Sequence, residues 1–310
     1  MQINISDIWT SSVEQAHESF LREALDKGFP PRNALMARLL TCHGDTLAIS
    51  RPAKLRAIVE DMETHKKAAS ESAREAFDDA CEKLFDYGKF ATKSKRAWSA
   101  YTLCMSSPYR MCPYCQQSLA VTVYKDHKSN SFRPTLDHFY PKSEYPYLAL
   151  SLYNLIPSCH TCNSSLKGTE NFYTDEHLHP YEDDESINYD FDIESYIDHR
   201  ERAAATAVPQ VTVRKPSDTH VLYEKINRSI KTFLVEERLA ISEQEIHRFI
   251  EVLLSYSQGR LEEVNKAIFS SSKWSLTQET ALNFSRLNYK NEWLGAIKRD
   301  LYDISWQKHT

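Results

Sequence analysis

The chain carries Cys112-Pro113-Tyr114-Cys115, then Leu136-Asp137-His138-Phe139-Tyr140-Pro141, then Asn154, then Cys159-His160-Thr161-Cys162-Asn163, and finally Lys167. Zinc takes sulfur ligands tetrahedrally, and a Cys-x-x-Cys knuckle grips one side of the ion, so two knuckles complete a site. The spacing therefore predicts one structural Zn²⁺ held by Cys112, Cys115, Cys159 and Cys162. The plain alternative is two reduced pairs that never share a metal. A redox role for one pair would call for a thioredoxin-like βαβ surround, which the sequence lacks. His160 sits inside the second knuckle and is read as exposed or packing, not as a ligand. Zinc is expected to contribute directly to folding this middle region, whose strands are short.

Asp137 and His138 fall at the end of a predicted strand, where neighbours point to opposite faces. They converge on one site only if the strand ends or bulges there, and Pro141 soon stops it. A neutral imidazole can take a proton from water. A carboxylate beside it can hold a divalent cation. Asn163 follows Cys162 directly, so the knuckle fixes it, and an amide oxygen is a hard ligand suited to Mg²⁺ or Mn²⁺. The bland reading of an isolated Asp-His is a surface pair or turn. His127, His177 and His179 have no such company and are read as structural.

The net charge of −5 over 310 residues argues against a simple nucleic-acid binder, which is usually basic. The charge is uneven, however. Between Tyr87 and Leu136, Lys89, Lys93, Lys95, Arg96, Arg110, Lys125, Lys128 and Arg133 face only Asp126. This basic stretch leads into the suspected site and suggests a phosphate-facing side, with Arg133, Lys142 and Lys95 as candidate backbone contacts. From Tyr181 to Glu201 the balance reverses, and that segment is read as a solvated face. Seven cysteines with only two close pairs argue against a disulfide framework and for a metal site in a reducing compartment. No apolar run is long enough to span a bilayer, and the N-terminus lacks a signal-peptide pattern. A cytoplasmic protein without membrane partners is the expectation.

Leu55, Ile58, Val59 and Met62 recur at helical spacing after Pro52, which suits a first helical turn. Phe77, Cys81, Leu84 and Phe85 mark another helix. Gly28-Phe29-Pro30-Pro31 and Tyr87-Gly88 punctuate this part. Residues 118–124 and 132–140 read as the strands of a hairpin around a polar turn at 126–131. Residues 158–167 start a short helix, and 208–215 a strand. Ile246, Phe249, Ile250, Leu253 and Leu254, then Leu294, Ile297, Leu301 and Ile304, mark C-terminal helices with one buried face. No Gly-rich phosphate loop is present.

Taken in order, Cys-x-x-Cys, Asp-His, a central Asn and Cys-x-x-Cys-Asn resemble the HNH (His-Me finger, ββα-metal) endonuclease family over residues 112–181. The resemblance implies an α+β, mainly helical fold with a central zinc-bound ββα-metal HNH unit flanked by helical regions. The boundaries are 1–107, 108–181 and 182–310. It implies His138 as general base, Asp137 and Asn163 as holders of a catalytic Mg²⁺ or Mn²⁺, Asn154 as a brace that aims His138, and Lys167 as a phosphate contact. Many members have His where Asn163 stands, which leaves the metal preference open. Residues 133–142 with Leu152-Tyr153-Asn154-Leu155-Ile156-Pro157 look most like PtuB-type nuclease subunits of Septu and retron-linked anti-phage systems. That likeness implies a PtuA-type ATPase partner and, in retron systems, a reverse transcriptase with its RNA–DNA hybrid. The substrate would be nucleic acid, either DNA or RNA such as transfer RNA. A non-catalytic zinc module that docks partners is the competing class, and it has no need of Asp137, His138 and Asn163.

Overall fold

The computed structural model describes residues 2–26, 33–93, 98–202 and 209–306. The turn signal at 28–31, Lys95, Arg96 and Val208 lie outside the described residues. The described residues are mainly helical, with two small two-stranded sheets among them. Among the described residues, no helix is long and apolar enough to cross a membrane.

The N-terminal helices form where the apolar stripes indicated. The helix Pro52–Ala68 starts with proline at its first turn, where a missing N–H costs nothing. It buries Leu55, Ile58, Val59 and Met62. The helix Glu71–Leu84 is capped by Ser70, whose side chain accepts from the Ala73 N–H, and buries Phe77 and Cys81. In the C-terminal part, the helix Glu243–Ser255 buries Ile246, Phe249, Ile250 and Leu253, while Leu254 stays 37% exposed at the edge of the stripe. The last helix, Gly295–Trp306, buries Ile297 and Leu301.

The middle region differs from the expected hairpin. The regular pair is β1, Thr135–His138, antiparallel to β2, Leu155–Ser158. Residues 118–124 form no regular strand; their ladder-type pairing consists of single bridges, Met111 with Leu119 and Val123 with Phe132. After Phe132 the chain leaves that partner, and β1 takes β2 instead, because both strands are buried and their hydrogen bonds need an internal partner. The register sets Asp137 opposite Ile156 and His138 opposite Leu155. A π-type helical turn, Thr161–Lys167, follows the second knuckle, where a short helix was expected. A second sheet pairs β3, Asn188–Asp190, with β4, Thr212–Arg214.

One continuous buried core runs from Ile3 to Leu301. The N-terminal segment is stitched to the middle by Ile3 N–H on the Pro113 carbonyl (3.0 Å) and Ile5 N–H on the Pro180 carbonyl (2.7 Å). The acidic stretch is less solvated than its composition suggested. Asp183 is buried and accepts from the His179 N–H at 2.7 Å, with the Lys225 ammonium at 3.3 Å. Glu185 pairs with Arg299 and accepts from Tyr289 and from the Asn4 N–H. These acids face cations on later helices, which composition along one segment does not reveal.

Candidate metal centre and reactive cluster

The four knuckle sulfurs lie within 4.8 Å of one another, all buried and none in a disulfide. A tetrahedral zinc with Zn–S bonds near 2.3 Å separates its sulfurs by about 3.8 Å, so this cluster is the right size for one ion. Backbone amides point at the sulfurs, from Cys162 to Cys159 Sγ at 3.4 Å and from Gln117 to Cys115 Sγ at 3.5 Å. The hydrogen bond from Cys112 lowers the Cys115 thiol to about 7, and the same neighbour lowers Cys159. Burial raises Cys112, and Cys162 is raised as well, so two thiols hold their protons while two lean toward thiolate; four sulfurs this close suit a soft divalent cation such as zinc. His160 is exposed and outside this cluster. Arg238 directs a guanidinium nitrogen at Cys162 Sγ, 3.7 Å away, and offsets the negative charge that thiolates would concentrate there.

The first knuckle also anchors the C-terminal helices. Gln116 is fully buried with φ of 47°; its carbonyl accepts from the Leu294 N–H (2.9 Å) and its side chain from the Ala296 N–H (2.7 Å). Gln117 bonds the Arg238 carbonyl and the Ser242 hydroxyl, and accepts from the Arg238 guanidinium.

Asp137 is 1% exposed, and both of its oxygens are taken. Oδ2 accepts from the Tyr114 hydroxyl at 2.6 Å, and Oδ1 accepts from the Lys167 ammonium at 2.9 Å. Lys167 is itself buried; it also donates to the His138 carbonyl at 2.7 Å and lies 4.9 Å over the Phe172 ring. Burial drives the Tyr114 phenol far above its ordinary value, and Asp137 adds to this, so the phenol stays a donor. The knot ties the first knuckle, β1 and the turn after the second knuckle together. Asp137 and Asn163 do not fit a hard dication in this arrangement, because an ammonium already occupies the carboxylate. Lys167 faces inward and is not on a phosphate-accessible surface.

His138 points to the other face of β1, as strand alternation requires. Its Nε2 lies 3.0 Å from the Ala149 carbonyl, and its ring meets the Tyr87 ring edge-on at 4.5 Å. A carbonyl only accepts, so Nε2 carries the proton and Nδ1 keeps the lone pair. Burial pushes the imidazole down to about 4, so it is neutral near pH 7. A neutral imidazole with one fixed tautomer is the form that can accept a proton. Lys142 is exposed, with its ammonium 5.6 Å over the same Tyr87 ring.

Asn154 is completely buried and clasps the chain just past His138. Its carboxamide oxygen accepts from the Tyr140 N–H (2.8 Å), and its nitrogen donates to the carbonyls of Tyr140 (3.1 Å) and Leu148 (3.2 Å). The Asn154 carbonyl also accepts from the Phe139 N–H at 3.0 Å. Asn163 is half-buried on the π-type turn, and among the described residues its carboxamide makes no hydrogen bond.

The structure thus brings together the four cysteines, and separately Asp137 with Lys167, and His138 with the loop that Asn154 holds. It does not bring Asp137 and His138 to one face. Sequence reasoning missed Tyr114, Tyr87 and the Ala149 carbonyl. A tyrosine inside the first knuckle was a readable signal for the first of these. No family model matches the chain, and neither does any curated protein or solved structure.

Proposed function

We propose that the protein is an HNH-type endonuclease that hydrolyses nucleic-acid phosphodiester bonds with His138 as general base. The observation that carries this reading is the His138 imidazole, neutral and held through Nε2 on the Ala149 carbonyl. A positioned base of this kind supplies typically 10²–10⁴-fold. Asn154 supports the reading by fixing the two residues that follow His138. The four-cysteine frame supports it as a rigid mount for short strands, with zinc the natural occupant. The order of these residues along the chain is that of the family the sequence resembles.

The test is cleavage of plasmid DNA and total RNA by wild type and His138→Ala, with added Mg²⁺, with added Mn²⁺ and with neither. Cutting should vanish in the variant while zinc content stays unchanged and the melt, lowered by the lost Ala149 bond, remains one cooperative transition. Undiminished cutting by His138→Ala removes the proposed base. The metal series decides whether a hard cation belongs to the chemistry, since Asp137 is committed to Lys167 and Tyr114. The sequence resemblance extends the proposal to an effector of a bacterial anti-phage assembly, with a PtuA-type ATPase as partner and, in a retron setting, a reverse transcriptase with its RNA–DNA. Co-purification with the neighbouring ATPase tests that extension.

A second reading is a non-catalytic zinc-bound scaffold. The knot of Asp137, Lys167 and Tyr114 favours it, because a buried, fully satisfied carboxylate serves structure. Absence of cutting by wild type on both substrates, with and without its partner, selects this reading.

A further inference from the structure

Between the first knuckle and β1 the chain runs out and back through residues 119–133. Val123 and Phe132 exchange both backbone hydrogen bonds, at 2.9 and 3.0 Å, so they are directly opposite and their side chains share one face. Both are large and apolar, and both are exposed, at 53% and 56%. The other face is fastened down. The Tyr124 ring lies 5.1 Å from Tyr101, and the Arg133 guanidinium sits 5.4 Å over the same Tyr101 ring. Arg133 donates to the carbonyls of Ala91 and Pro134, and Lys93 to that of Ser129.

The turn that joins the two arms has its only carboxylate consumed internally. Asp126 accepts from the N–H groups of Lys128 and Ser129 and from the Ser129 hydroxyl, each at 2.8 Å. Lys125 and Lys128 are exposed, and among the described residues no carboxylate pairs with either. The arm is thus an out-and-back excursion closed by one antiparallel pair, with an unmatched positive tip and an open apolar pair. It leads straight into β1 and His138. Tyr87 joins the two places, since its ring touches His138 while Arg133 bears on its hydroxyl.

We propose that residues 119–133 form a DNA-binding arm whose bridged pair enters the major groove of a duplex, with Lys125 and Lys128 on flanking phosphates and Val123 and Phe132 toward the base edges. It extends the nuclease reading by naming the element that holds the substrate. The charge complementarity is direct, because the acidic chain as a whole repels DNA whereas this tip carries unpaired cations. Exposed lysines are depleted in protein–protein interfaces, which argues against a protein occupant. Two chain segments side by side, as Val123 and Phe132 hold them, fit the width of the major groove of B-form DNA, and the deep narrow groove of A-form RNA excludes them. Apolar side chains in that groove contact thymine methyl groups.

The test measures binding of the zinc-loaded full chain to a short labelled DNA duplex and to an RNA duplex of the same sequence, by fluorescence anisotropy without added Mg²⁺ or Mn²⁺ and without chelator, so that the zinc is retained. His138→Ala carries every comparison, so binding is read apart from catalysis. Lys125→Gln/Lys128→Gln should weaken DNA binding at least tenfold and reduce the slope of log K against log salt by about 2, from two lost phosphate contacts. Phe132→Ser should weaken DNA binding with the slope unchanged. Both changes sit on exposed positions, and unaltered melting and zinc content certify the fold. No DNA binding by the parent, wild-type binding by either variant, or equal binding of the RNA duplex overturns the arm. Binding that behaves as expected in a protein that never cuts sustains the arm and overturns the nuclease.

Discussion

Replacing Lys167 by methionine removes the ammonium from the most buried ion pair among the described residues while keeping an unbranched side chain over Phe172. Asp137 would then be left in a site 1% exposed, with only the Tyr114 hydroxyl to hold its charge. Breaking a buried pair by removing one partner costs about 3–5 kcal/mol, because the survivor is uncompensated. The His138 carbonyl loses a 2.7 Å donor as well, so about 4 kcal/mol is the expected loss for Lys167→Met, at the centre of that range. Asp137→Asn should cost about 3 kcal/mol, since it strands the ammonium instead. The double variant holds no buried charge and should lose only about 4 kcal/mol in total, which leaves a coupling of about 3 kcal/mol. Urea unfolding of all four proteins, at fixed free zinc and in reductant, measures the cycle. Additive losses, with coupling below about 0.5 kcal/mol, would refute the claim that Asp137 and Lys167 act as a unit.

Other outcomes follow from the same geometry. Cys159→Ser should abolish stoichiometric zinc and loosen the middle region, and retained zinc by metal analysis refutes a four-sulfur site. Asn154→Ala should cost about 2–4 kcal/mol, because it orphans the Tyr140 N–H and two carbonyls in a fully buried place, and a melt within one degree of wild type contradicts this. His17 is held neutral by burial at about 4, with the Trp98 indole donating to its Nδ1 and its Nε2 on the Leu150 carbonyl. Its folded value lies below the unfolded 6.5, so the unfolded chain takes the proton first. Stability present above pH 6.5 is then lost as pH falls toward about 4, by up to about 3 kcal/mol. His17→Gln should flatten that part of a stability-against-pH curve, and an unchanged slope refutes the assignment.

The cysteine frame was legible because a knuckle is a local object, and its two halves need only meet. The helical stripes were legible for the same reason, since Leu55 to Met62 and Ile246 to Leu253 each declare a face within a few turns. The partner of β1 was not. Leu155–Ser158 is buried at all four positions, so it shows no alternation, and Pro157 argues against a strand. The environment of Asp137 was equally hidden. Its two partners lie 23 and 30 residues away, and only the folded chain unites Tyr114, Asp137 and Lys167. Strand alternation did warn that Asp137 and His138 separate, and the structure follows the rule where the expected convergence needed an exception. The Ala149 carbonyl that fixes the His138 tautomer left no trace in side-chain identity.

Gln116 and Gln117 grip Leu294, Ala296, Arg238 and Ser242 from the turn that also presents two of the four sulfurs. A chelator or an oxidant acting on the cysteines would therefore reach far beyond the pocket it attacks. It would slacken the turn, free the tail's tether and expose the last hundred residues to a protease. The sulfur chemistry of this chain is thus written into the durability of its carboxy-terminal third.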